Sequence, residues 1–352
     1  MAVSASSNPI TSVQPNSSPI TSVQPQQYGG SPLYNQQQST NPQLLTRLNL
    51  DLRGQMFPVE RETLMLLPES VLLGLFPQGL ILSKPASWEG ADDGVFTVDF
   101  DPDCFEYILK FWSNAQEKFY GTPTSIGLFH LQQNITSVSS GSGSGSGNDL
   151  TSFTDQSQNP LLSKQAIIVL REELEFFSIT KSNHIAKTNL QNGLPNDELK
   201  YLKKQCGKSL ENKKSIFAAL ERNVSSVGNA AEAHLIDMLC MSGFNRTDEW
   251  GFRACEPSRN VITSMALVLL KTGIIHPSED NKDGSNNVPY IDAQQMGTAQ
   301  KLLLFWRKPA RKCWWDGVEV EIPASSTAKQ GDVQTVKVWA RRVWTLELSL
   351  VG

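Results

Sequence analysis

The stretch LNLDLRGQMFPVERETLMLLPESVLLGLFP (residues 48–77), continued after a loop by GVFTVDFDPDCFEYILKFW (residues 94–112), decides how the amino-terminal part of this 352-residue chain folds. Leu48, Leu50 and Leu52 alternate with polar residues, the period of a half-buried strand. Gly54 supplies a turn, and Phe57 and Val59 resume the alternation, so the two runs pair as a hairpin. Thr63 or Pro68 opens short helices that carry Leu64, Leu67, Leu72, Leu73 and Phe76. Phe96, Val98 and Phe100 read as a third strand. Asp101 is an N-cap with Pro102 at the first helical position. The helix it starts turns Phe105, Ile108, Leu109 and Trp112 to one face.

Strand, tight turn, strand, LP-x-S helix, strand and DPxxF helix together resemble the BTB/POZ domain of the potassium-channel tetramerisation type, a protein-interaction fold. Further on, the segment Gln165 to Thr180 is apolar with helical spacing at Ile168, Leu170, Leu174, Phe177 and Ile179, and VLREELEFFSI resembles the last helix of that family. The expected domain therefore spans residues 44–182 and carries a disordered insertion over about 121–160, which includes the GSGSGSG run at residues 141–147. Loop-closure entropy grows slowly with length, so such an insertion is compatible with folding. The resemblance implies that the face holding Arg53, Gln55 and Arg61 meets a neighbouring subunit. The plain alternative is a solvated face on which Arg61 pairs with Glu60 or Glu62.

Outside this domain the composition shifts twice. Residues 1–43 are rich in Ser, Gln, Pro and Asn, repeat PITSVQP, and hold no charge. They have too little apolar mass to order, and Ser18-Pro19 and Ser31-Pro32 suit a proline-directed phosphate. Residues 195–352 read as a second, α+β domain. Helices are expected from Pro195 to Glu221, Asn229 to Phe244 and Glu256 to Gly273, with a polar loop from Lys282 to Pro289. The last fifty residues are strands, with Asp316-Gly317 as a turn between two of them.

That carboxy-terminal sheet concentrates five of the eight tryptophans: Trp306, Trp314, Trp315, Trp339 and Trp344. Residues 301–352 hold nine basic against five acidic side chains in a chain of net charge −4. Two readings stay open. Large rings fill a small core with arginines lying over them, or Arg307, Arg311, Trp339, Arg341 and Arg342 form a basic aromatic docking face for an acidic partner protein or a phosphorylated segment.

Catalysis and metal binding find no support. None of the four histidines neighbours a nucleophile motif, a Walker loop or a GxGxxG. His234 and Cys240 lack zinc spacing. Asp99, Asp101 and Asp103 lack the Gly and Glu of a calcium loop, where Cys104 and Lys110 stand instead. The pI near 5.7 argues against bulk nucleic-acid binding. Five cysteines without a CxxC read as reduced thiols. No apolar run reaches the roughly 18–20 residues of a membrane span, and no basic n-region precedes the apolar segments, so a cytoplasmic protein without cofactor is expected.

The run LDLRGQMFPVERETLMLLPESVLLGLFPQGL (residues 50–80), the split domain, the Ser/Gln-rich head and the tryptophan-rich end resemble the fungal Whi-two family of growth-regulation and stress-response proteins. The resemblance implies a non-enzymatic activator of plasma-membrane-associated phosphatases of the haloacid-dehalogenase type. It further implies support of the general stress response and restraint of target-of-rapamycin signalling. Kinship with KCTD proteins adds homo-oligomerisation through the BTB domain. It also implies an alternative role as a Cullin-dependent ubiquitin-ligase adaptor.

Overall fold

The computed structural model describes residues 44–80, 94–139, 159–179, 190–191, 194–195, 197–227, 230–276, 289–324 and 332–351. The Ser/Gln-rich head, the GSGSGSG run and nearly all of the loop expected over 282–289 lie outside them. Residues 42–352 form one compact unit of mixed α+β structure.

Strands β1 (Arg47–Leu52) and β2 (Gln55–Glu60) form the expected antiparallel hairpin, with Leu48 opposite Val59 and Leu52 opposite Gln55. Its two-residue turn places Arg53 at φ 53° and Gly54 at φ 94°, the left-handed pair of a type I′ connection. The Asp51 carboxylate accepts from the Gly54 amide at 2.7 Å. Helices α1 (Arg61–Met65) and α2 (Glu69–Leu75) follow. Strand β3 (Val95–Val98) then lies parallel to β1 and completes a sheet of order β2-β1-β3. Helix α3 (Pro102–Tyr120) starts as its sequence dictates: the Asp101 carboxylate accepts from the amides of Asp103 and Cys104, both at 3.0 Å. It buries Phe105, Ile108 and Trp112 against Leu48, Leu50 and Leu52. A tight hairpin of β4 (Gly121–Thr122) and β5 (Ser125–Ile126) leads into α4 (Leu128–Ser139), so the region expected to be a disordered insertion opens with regular structure.

The next segment overturns an expectation. Residues 165–179, read as the closing helix of the first domain, are one long strand, β6 (Gln165–Ile179). After the short pair β7 (Leu190–Gln191) and β8 (Leu194–Pro195) come α5 (Asp197–Glu211), α6 (Ala218–Val227) and α7 (Ala230–Ser242). Strand β9 (Phe252–Cys255) follows, and β10 (Val261–Leu269) replaces most of the third expected helix. A short ladder of β11 (Ile274–Ile275) and β12 (Tyr290–Ile291) precedes α8 (Ala293–Leu302) and α9 (Leu304–Arg307). Strands β13 (Ala310–Pro323) and β14 (Val333–Val351) end the chain. The principal sheet runs β13-β14-β6-β10-β9, antiparallel throughout.

The first half of β6, Ala166 to Leu170, and the centre of β10 are apolar on both sides because both sides are covered there, and a strand buried on both faces loses its alternation. Ile167, Val169, Met265, Leu267 and Val351 belong to the core of the amino-terminal module. Ile168, Leu170, Ala266, Trp344, Leu346 and Leu348 belong to a second core with the helices. The segment is thus shared, and a boundary at residue 182 would strip β6 of β14 and β10. Asp316-Gly317 is likewise no turn. Gly317 lies mid-strand opposite Trp339, where an added Cβ would sit 3.2 Å from the indole ring.

Candidate protein-interaction surface

The amino-terminal module covers only one end of its sheet face, and among the described residues the other end is open. Register assembles what is displayed there. Phe177 of β6 stands opposite Trp339 of β14, Ile179 opposite Lys337, and Glu175 opposite Arg341. Trp315 of β13 stands opposite Arg341. The Phe177 and Trp315 rings lie 6.1 Å apart, tilted by 30°. Trp315 is 56% exposed, Trp339 47%, Phe177 43% and Ile179 41%. Two tryptophans and a phenylalanine grouped on one open sheet face form the kind of apolar patch that marks an interaction site.

Beside the patch runs a groove of about 550 Å³ between α2, the start of α3 and the sheet. Its walls carry five carboxylates, Asp99, Asp101, Glu173, Glu175 and Glu256, against three guanidinium groups, Arg171, Arg259 and Arg341. The cations are engaged: Arg341 with Glu175 at 3.1 Å, Arg171 with Glu173 at 3.3 Å, and Arg259 with Asp99 at 3.4 Å and Glu256 at 3.5 Å. Two of these pairs are local, Arg171 with Glu173 and Arg259 with Glu256, and two join distant segments, Arg341 with Glu175 and Arg259 with Asp99. The open surface itself is aromatic; Arg341 lies on it paired with Glu175, and the adjoining groove is lined by five carboxylates and three guanidinium groups.

The other sequence-predicted site residues disperse. Arg53 reaches into the chain, bonding Asp99 at 2.8 Å, Asp101 at 3.5 Å and Glu256. Burial works against its charge, but the bonds to Asp99 and Glu256 outweigh burial and raise its pKa above the ordinary guanidinium value. Gln55 is exposed, and Arg61 pairs with its neighbour Glu62 at 2.9 Å. Arg311 is exposed on β13, while the side chain of Arg307 in α9 lies outside the described residues. Arg342, next to Arg341, points to the opposite face and pairs with Glu172, which is 2% exposed. Trp344 is 2% exposed and belongs to the core. The tryptophans thus split between the two readings, with Trp344 in the core and Trp315 and Trp339 on the surface. Phe177, Ile179, Glu173 and Glu175 escaped the sequence reading because their segment was read as a helix. The adjacent β-branched run Ile167, Ile168, Val169 was the available strand signal.

Arg53 holds a left-handed backbone while tying the hairpin to β3, the α3 cap and Glu256. Arg53→Ala is expected to cost about 2 kcal/mol, since it keeps the strained φ and forfeits charge-assisted bonds. Urea denaturation monitored by tryptophan fluorescence measures it.

Among the described residues no group of three or more His, Cys, Asp or Glu side chains is placed to hold a metal ion. No helix among them is long and apolar enough to cross a membrane. Burial pushes the Cys206 thiol up to about 11 and the Cys255 thiol up to about 12, so neither is a thiolate at neutral pH.

No family model matches the chain. A WHI2-like protein of Schizosaccharomyces pombe is 32% identical over 310 residues, covering 85% of this chain and 86% of its own. A growth regulation protein of Saccharomyces cerevisiae is 27% identical over an alignment that covers 87% of this chain and 91% of its own. An uncharacterised protein of S. pombe is 20% identical, with 87% of each chain covered. Shared identity at this level along most of both chains places the protein in a family: it belongs to the WHI2-like proteins.

Proposed function

We propose that this protein is a non-enzymatic adaptor in growth and stress control that binds and activates a phosphatase of the haloacid-dehalogenase type. The observation that carries the reading is the open patch of Trp315, Phe177 and Trp339 beside an acidic groove. A partner segment with a large apolar anchor and flanking lysines or arginines complements both. Two further facts support it. The S. cerevisiae relative is named a growth regulation protein. The hairpin, parallel third strand and capped α3 follow the element order that the BTB/POZ resemblance implies for residues 44–120. In this reading the amino-terminal module is BTB-type. The protein works in the cytoplasm, reaches the plasma-membrane periphery through its partner, and self-associates through the amino-terminal module.

Trp339→Ala tests the docking surface. A central aromatic anchor contributes about 2 kcal/mol or more to binding, which is roughly thirtyfold in affinity. The variant should lose that much affinity for the purified phosphatase in calorimetry while its melting temperature stays close to that of the parent, because the ring is half exposed. Unchanged affinity rejects the surface. Recovery of a cullin in place of a phosphatase by affinity purification favours the ubiquitin-ligase adaptor, and turnover by the purified chain alone rejects the adaptor class.

A further inference from the structure

The helix-covered side of the sheet holds a second, smaller cavity of about 190 Å³ between α5, α6 and the middle of β6, β13 and β14, with β9 beside it. At roughly 30 Å³ per water it has room for a tetrahedral oxyanion with a few waters, and it is below the roughly 300 Å³ where drug-sized sites begin. Four cations from three elements and the loop after α5 line it: Arg222, Arg253, Arg342 and Lys213. Only two carboxylates, Glu172 and Asp316, face them.

The floor is fixed. Glu172, 2% exposed, accepts from Arg253 at 2.8 Å through one oxygen and from Arg342 through the other. Arg253 further donates to the carbonyls of Glu211 and Leu210, both at 3.1 Å, and to the Ser264 hydroxyl at 2.5 Å, which with Glu172 makes four bonds for its five N–H groups. Arg342 is not saturated, and its Nε is buried with no hydrogen-bond partner among the described residues. At the mouth, half-exposed Arg222 holds Asp316 and donates to the Gly317 carbonyl at 3.1 Å. Lys213 forms no salt bridge among the described residues. Burial first, and then the Arg342 and Arg222 charges, lower its pKa, as expected where positive charge is in excess. Ala218 and Ala219, the first turn of the ten-residue α6, form another wall with small side chains and the positive end of a helix.

We propose that this cavity is a binding site for a phosphate-class dianion. Two uncompensated positive charges match the roughly −1.5 to −2 of a phosphate monoester at neutral pH. Guanidinium groups suit its oxygens geometrically, and a point-charge lysine at the mouth completes the set. The inference is independent of the docking patch, which lies on the opposite face of the sheet. The same chemistry is available from free phosphate or from a phosphoserine in the chain's own Ser-Pro-containing head.

Calorimetry on the full unphosphorylated chain at constant ionic strength tests it, with inorganic phosphate and with a peptide of residues 26–36 phosphorylated at Ser31. Saturable phosphate binding at millimolar or tighter affinity is expected, with the phosphopeptide competing for the same site. Lys213→Gln, an exposed change whose fold circular dichroism confirms, should weaken both ligands roughly tenfold. Lys337→Gln on the other face should weaken neither. A phosphopeptide far tighter than phosphate identifies the head as the source, and equal affinities identify free phosphate. No saturable binding, equal binding of the unphosphorylated peptide, or full affinity in Lys213→Gln each overturns the proposal.

Discussion

Glu172→Ala should destabilise the protein by about 3–5 kcal/mol, the cost of leaving buried charges without their partner. Glu172 sits at the centre of the sheet, opposite Trp344 on β14 and Ser264 on β10. It is the one carboxylate between two guanidinium groups whose side chains are only 5% and 12% exposed. Water cannot replace it without entering between sheet and helices. Glu172→Gln keeps the volume and loses the charge, so it should cost nearly as much. Arg341→Ser on the other face breaks a pair with Glu175 that is 48% and 38% exposed. Solvent screening limits that loss to about 1 kcal/mol or less. Urea midpoints of the three variants measure the contrast. A cost below about 1 kcal/mol for Glu172→Ala would mean that solvent reaches the triad.

This pair of arginines also shows what the sequence can disclose. Adjacent residues of a strand face opposite ways, so once 341 and 342 are in a strand, one faces solvent and the other the helices. Which is which depends on β6, whose identity was hidden. A run apolar on both faces has no period of two. Its residues 168, 170, 174 and 177 therefore matched a helical spacing by default. Residues 261–269 of β10 were misread for the same reason. Where one face is open or a cap is explicit, the reading held: Leu48, Leu50 and Leu52 alternate into the core, and Asp101-Pro102 starts α3. The positive charge at the carboxy terminus was legible, but its neutralisation was not. Glu172, Glu175 and Glu232, which engage Arg342, Arg341 and Lys312, lie between 80 and 170 residues away in sequence.

Trp112→Ala should cost a further 3–5 kcal/mol in its own right, about the value for removing a large buried aromatic ring. The indole is 1% exposed, and its Nε1 donates to the Leu66 carbonyl at 3.2 Å, so truncation leaves a void and removes one of that carbonyl's two donors, the other being the Ser349 hydroxyl at 3.0 Å. More telling is how the protein should melt. The core that contains Trp112 also contains Ile167 and Val169 of β6, Met265 and Leu267 of β10 and Val351 of β14. Those strands carry the second core on their reverse side. A void beneath α3 is thereby transmitted to the sheet that the carboxy-terminal helices pack on. Calorimetry of the variant should show one transition shifted to lower temperature as a whole. Two separated transitions, with the upper one unshifted, would show that the amino-terminal module unfolds on its own. That result would restore the two-domain organisation that the sequence suggests.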